Sequence, residues 1–181
     1  MDDLSTTEAP PMAPADPKAL IRDWFARDPS RMTMMAARKF AVSEREVVEA
    51  LIGPWPIDRL RDGVFGDLME ALPGLGLMRV FVRSRAAVIE SVGHFGGFSE
   101  YGPFLNVQTE TLDMHILRDQ IAAIYAVRKR GHDSLHDTHS FQFFDHAGDA
   151  AFKAFLWEDY PNVPPERVSA FEALAQRLAV G

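Results

Sequence analysis

"TLDMHILRDQIAAIYAVRKR", residues 111–130, decides the fold. It holds two strand-like runs, "LDMHIL" and "IAAIYAVRKR", in which apolar side chains alternate with polar ones or cluster as β-branched and aromatic residues. Only a few residues separate them, too few for the crossover helix that a parallel pair needs, so the two runs pair antiparallel. Working outward, "MRVFVRSRAAVIESVGHFGG" predicts two strands joined through "RSRA". "FLNVQTE", "THSFQFFDHAG" and "AAFKAFLWED" predict further short strands between turn residues. Consecutive strands without intervening helices give a large curved antiparallel β-sheet, a meander, and an α+β fold class.

Helices flank the strands. "PKALIRDWFARDP" places Leu20, Ile21, Trp24 and Phe25 at helical spacing, with Pro29 as the stop. "RMTMMAARKFA" predicts a second helix with Met32, Met35, Ala36 and Phe40 on one face. In "VSEREVVEALIG", Ser43 is in position to cap a third helix, Glu46 occupies the capping-box place and Gly53 ends it. "VFGDLMEALPGLG" is one more amphipathic helix, broken by Pro73 and Gly74. Near the C-terminus, Val168, Phe171, Leu174, Ala175 and Leu178 mark a last helix after two prolines. Residues 1–17 carry four prolines and little apolar surface, which predicts a disordered tail ahead of a single domain over residues 18–181.

The chain has 181 residues, 47% of them hydrophobic, enough for one sizeable core. A net charge of -7 argues against non-specific binding of nucleic acid or anionic lipid. "VRKRGH" is the one dense basic cluster, and it reads as a solvated strand end. The three N-terminal helices have the loose outline of a helix-turn-helix, but the recognition position, "SEREVVEA", is acidic and would repel phosphate. With no cysteine there is no disulfide, zinc-thiolate site or thiolate nucleophile. Neither a signal peptide nor a membrane-length apolar run is present, so a cytoplasmic location is expected.

Enzyme signatures are absent. There is no phosphate-cradling glycine loop, no "GxSxG" elbow and no "HExxH" helix. "HDSLHDTH", residues 132–139, could hold a divalent metal through His132, His136 and His139, but its spacing fits no strict motif and it reads first as a polar hairpin loop. Strand parity makes His115 the more interesting histidine. If Leu112, Met114 and Ile116 face the core, then Asp113, His115 and Leu117 share the opposite face. Two readings follow: a hydrogen-bonded structural residue, or an axial nitrogen among apolar walls of the kind a flat metal-bearing ligand needs.

Three blocks carry a family resemblance: "MRVFVRSRAAVIESVG", "YGPFLNVQTETLDMHILRDQIAAIYAVRKR" and "HSFQFFDHAGDAAFKAFLWED". They resemble the ChuX/HutX type of haem-utilisation protein and the half-repeats of the HemS/ChuS haem-handling proteins, over roughly residues 20–178. The resemblance implies a cytoplasmic bacterial protein that binds haem and passes it on, with dimers that imitate the two-repeat relatives. In the single-repeat carriers a strand histidine contributes to haem binding, and His115 matches that position. Tyr101, in "EYGPF", falls where some relatives have a histidine, and a phenolate is an accepted haem ligand. Where those carriers have a second histidine this chain has "VRSRA", so Arg83 and Arg85 become candidate partners for haem propionates. The ligating histidine of the two-repeat proteins is replaced by "DPSRMTMM", around Arg31. Haem cleavage is therefore the lesser expectation, as is a regulatory or interaction protein that kept the fold without haem. A protein that delivers or receives haem is the expected partner besides haem itself and a second copy of the chain.

Overall fold

The computed structural model describes residues 16–84 and 86–181. The expected disordered tail falls outside the described residues except for Asp16 and Pro17, which cap and open the first helix. Asp16 accepts a hydrogen bond from Lys18 N at 3.0 Å and caps α1 (Pro17–Arg27). Two short helices follow, α2 (Thr33–Phe40) and α3 (Glu44–Leu51). The capping box forms as the sequence predicts: Glu46 N donates to Ser43 Oγ at 3.2 Å and Ser43 N donates to the Glu46 carboxylate at 2.8 Å. Helix α2 is turned differently from the expectation. Its buried residues are Thr33 and Ala36, while Met32 and Met35 are about half exposed, because the small Ala36 side chain is the one that fits among Ile21, Phe25 and Val47.

After α3 come β1 (Ile57–Arg59), α4 (Phe65–Ala71), β2 (Leu77–Arg83), β3 (Val88–His94), β4 (Phe98–Tyr101), β5 (Phe104–Gln108), β6 (Asp113–Leu117), β7 (Ala123–Arg130), β8 (Asp137–Phe144), β9 (Ala150–Leu156) and α5 (Pro165–Leu178). The expected α+β class and large antiparallel sheet are both present. Strands β7, β8 and β9 run as a meander, and the β2–β3 hairpin adds to the free edge of β9, giving the order β1-β7-β8-β9-β2-β3. Strands β4, β5 and β6 form a separate three-stranded sheet. The break falls at Gly96 and Gly97. Gly97 has φ +58°, and a Cβ there would lie 1.9 Å from the carbonyl oxygen of Gln108, so only glycine lets the chain turn so close to β5. Strands β1 and β4 are too short to show alternation, and the sequence reading passed over both.

Alternation gives the large sheet two different faces. On the first, Met78, Val80, Phe141, Phe143 and Phe152 join residues of α4 and α5, including Leu68 and Phe171, in the main core. The inner side of the small sheet, with Leu105, Val107 and Ile116, closes over the same core. On the second face, the end carrying Ala123, Tyr125 and Val127 is covered by Phe25, Val47 and Leu51 of the lead-in helices. The basic cluster after Val127 is engaged within the fold. Arg128 binds Glu172 of α5 and Asp58 of β1, and Arg130 pairs with Asp137 at 3.3 Å.

Candidate functional site

The uncovered part of the second face is a cleft of about 470 Å³ between the large sheet and the chain around Ser30–Met34 at the start of α2. Its floor follows from strand period. In β2, Arg79, Phe81 and Arg83 point the same way; in β9, so do Lys153 and Phe155, and Trp157 continues the row just past the strand. Trp157 is held by two partners: its ring stacks on Tyr160 at 4.2 Å, and the Arg79 guanidinium lies 4.4 Å from its centroid. The result is a slot with aromatic and methionine walls and cations set between them.

Glu44 ties the roof to the floor. Its carboxyl is almost fully buried and accepts from Thr33 Oγ1 at 2.6 Å, Lys153 Nζ at 2.6 Å and Arg83 Nη2 at 2.5 Å. Burial by itself would raise its pKa; the charge and hydrogen bond of Lys153, with Thr33 and Arg83, outweigh burial and hold the carboxyl below its ordinary range. Lys129 donates to the backbone oxygens of Pro29 and Arg130, and burial together with the nearby charge of Lys153 pulls its pKa down to about 8. Arg79 pairs closely with Glu90. Five cations (Arg79, Arg83, Lys129, Arg130, Lys153) and three carboxylates (Glu44, Glu90, Asp133) line the cleft, and Asp137, paired with Arg130, lowers the excess to one positive charge. An apolar ligand with anionic groups on one edge suits this arrangement.

The outer face of the small sheet is a different kind of surface. Ser99, Tyr101, Phe104, Asn106, His115 and Leu117 share it by register. Asn106 is buried; its Nδ2 donates to Ser99 Oγ at 3.1 Å, which turns Oδ1 toward His115 Nδ1, 2.7 Å away. In that arrangement Nδ1 donates to Oδ1, and Nε2 is on the open face, 3.7 Å from Asp113.

Comparison with known proteins places these features. The family model for haem utilisation ChuX/HutX matches residues 58–174, from β1 into α5. The chain belongs to the ChuX/HutX family. This ChuX/HutX chain is 28% identical over 160 residues to the hemin transport protein HmuS of Yersinia pestis, an alignment covering 86% of the chain but 42% of HmuS. Among solved structures, a protein from Erwinia carotovora superposes with a TM-score of 0.79 at 23% identity, covering 91% of this chain and 99% of that one. The haem-bound form of PhuS from Pseudomonas aeruginosa gives a TM-score of 0.75 at 26% identity, covering 91% of this chain and 45% of PhuS. The ChuX/HutX chain thus spans less than half of HmuS and of PhuS.

The ChuX/HutX fold separates the residues singled out from sequence. Arg83 is in the cleft, bound to Glu44. Arg85 lies outside the described residues. His115 and Tyr101 share the outer face of the small sheet, which closes over the core on the first face of the large sheet, away from the cleft on its second face. "HDSLHDTH" is likewise split: His132 borders the cleft, His136 binds Asp133 at 3.1 Å, and His139 faces Phe171 of α5. Among the described residues no three His, Asp or Glu side chains converge on a metal-sized site, and no helix is long and apolar enough to cross a membrane. Sequence reasoning missed Glu44, Arg79, Phe81, Lys129, Lys153 and Phe155. The signal was there in "RVFVR" and "FKAFLW", where charged and aromatic residues alternate on one strand face while uncharged residues, Val80 and Val82 or Phe152, Ala154 and Leu156, take the other.

Proposed function

We propose that this protein binds haem and hands it on inside a bacterial cell, as a carrier in haem and iron utilisation. The observation that carries the reading is the cleft floor, where Phe81, Phe155 and Trp157 alternate with Arg79, Arg83 and Lys153. Haem is an apolar disc with two carboxylates on one edge. The aromatic side chains suit the disc, and the cations suit the propionates through charge-assisted hydrogen bonds. Family membership supports the reading, as do a relative named as a hemin transport protein and another solved as a haem-binding protein. Binding through ring contacts and through the partly exposed Arg79 and Arg83 also suits a carrier, which must release what it holds.

A second reading places the iron on the outer face of the small sheet. What favours it is His115 itself, whose Nε2 is left free by the Asn106 hydrogen bond, with Tyr101 on the same face. A homodimer would extend either surface, and the exposed apolar side chains Val88, Ile89 and Val92 of edge strand β3 support one. A cytoplasmic location and a protein that delivers or receives haem belong to the same proposal.

Titration with hemin, followed in the Soret region for wild type and His115→Ala, tests the function and separates the two surfaces. The expected result is saturable one-to-one binding, with the His115→Ala band and affinity within about twofold of wild type. A shifted or lost band in His115→Ala moves the iron to the small sheet. A spectrum like that of free hemin for both proteins removes the carrier function and leaves a fold put to an interaction or regulatory use.

A further inference from the structure

We propose that the cleft recognises a dicarboxylate tetrapyrrole by its ring and its two carboxylates whether or not the ring holds a metal, so that metal-free protoporphyrin is a ligand of the same site as haem. The proposal rests on the cleft being the haem site, and it adds which part of the ligand the cleft reads.

The side chains around the cleft that carry an iron-binding atom are poorly placed to use it. The Tyr160 hydroxyl donates to Asp133 Oδ2 at 3.2 Å, and its ring is stacked flat on Trp157. Burial and the Asp133 carboxylate push its pKa above the ordinary phenol value, which makes the phenolate harder to form. Met32, half exposed on the roof, and Met34 beside it offer thioethers, soft and weak donors. His132 sits exposed on the hairpin rim, and among the described residues no hydrogen bond fixes its ring, whereas a ligating imidazole is held through its other nitrogen. The imidazole that is held in that way, His115, belongs to the other sheet.

The features that are built into the cleft are indifferent to a metal. Phe81, Phe155 and Trp157 meet the faces and edges of a macrocycle, whose hydrophobic and dispersion contacts scarcely depend on what occupies its centre. Arg79 and Arg83 lie on the same face of β2 and offer one guanidinium to each of two carboxylates. Arg83 uses Nη2 on Glu44, and the rest of its guanidinium fork remains to bind a carboxylate. A site that takes its free energy from the ring walls and the carboxylates binds the porphyrin with iron, with another metal, or with none.

The test is to titrate the full chain with hemin, gallium protoporphyrin and metal-free protoporphyrin IX, for wild type and for the double variant Arg79→Gln/Arg83→Gln. Binding is read from quenching of tryptophan emission and from ligand absorbance. The expected result is three dissociation constants within about threefold of one another, all raised by the same factor in the double variant. Hemin binding with metal-free protoporphyrin about thirtyfold weaker or worse would overturn the proposal and leave the haem reading intact. So would metal-free protoporphyrin that binds equally well to the double variant, since it would then lie outside the cleft. Failure of all three ligands would remove the haem reading and this proposal together.

Discussion

Glu44→Ala is expected to destabilise the fold by about 3 kcal/mol, read as a lower urea midpoint at unchanged slope. The carboxyl is 1% exposed and holds Lys153, Arg83 and Thr33 at once, joining α2 and α3 to β2 and β9. Truncation strands the Lys153 ammonium, itself 7% exposed, without its partner, and the cost of an uncompensated buried charge exceeds that of any surface pair in the molecule. The same carboxyl sets an acid limit. Its folded pKa lies below the unfolded one, so the unfolded chain binds the extra proton first. Its stabilisation is complete above the ordinary carboxylate range and is lost as pH falls through the depressed value. Glu44→Gln should flatten that part of the stability profile. A loss under about 1 kcal/mol in Glu44→Ala would mean that water already reaches the network.

The largest effect on binding is expected from Arg79→Gln/Arg83→Gln, a loss of hemin affinity of about a hundredfold. A hydrogen bond to a charged group contributes about 1.5–3 kcal/mol, and each 1.4 kcal/mol is a factor of ten, so two such contacts set that scale. Glutamine keeps a donor for Glu44 and retains much of the side-chain bulk, which limits damage to the fold. Trp157 loses the Arg79 guanidinium over its ring, so part of the loss comes through that wall of the slot. The urea midpoint of the double variant controls for stability. A drop of less than about threefold in affinity would place the propionates elsewhere.

The longer strands were legible because their chemistry is local. "LDMHIL" shows by parity alone that His115 lies opposite Met114 and Ile116, and in the fold Ile116 is buried while His115 is on the open side. The capping box of α3 was legible for the same reason. The division into two sheets was not, because it depends on a glycine turn at Gly97 whose tightness is set by Gln108 on another strand. The cleft was hidden for a similar reason at longer range: Glu44 and Lys153 are 109 residues apart, and neither announces the other. Helix α2 misled because its methionines look like core by composition, while the site needs a small residue, Ala36, at the contact and leaves Met32 at the cleft. Arg83, read from sequence as a candidate propionate partner, lines the cleft in the company of Glu44 and Lys153, apart from His115 and Tyr101.

The central claim is that the tetrapyrrole lies on the second face of the large sheet. The indole N–H resonances of the three tryptophans report on it directly when the protein is titrated with diamagnetic gallium protoporphyrin. Trp157 lines the cleft, whereas Trp24 and Trp55 pack in the lead-in core. The account predicts a large ring-current shift of the Trp157 indole and much smaller shifts of the other two. A Trp157 signal that stays in place while the Asn106 side-chain amide and the His115 ring move would contradict it and put the ligand on the small sheet.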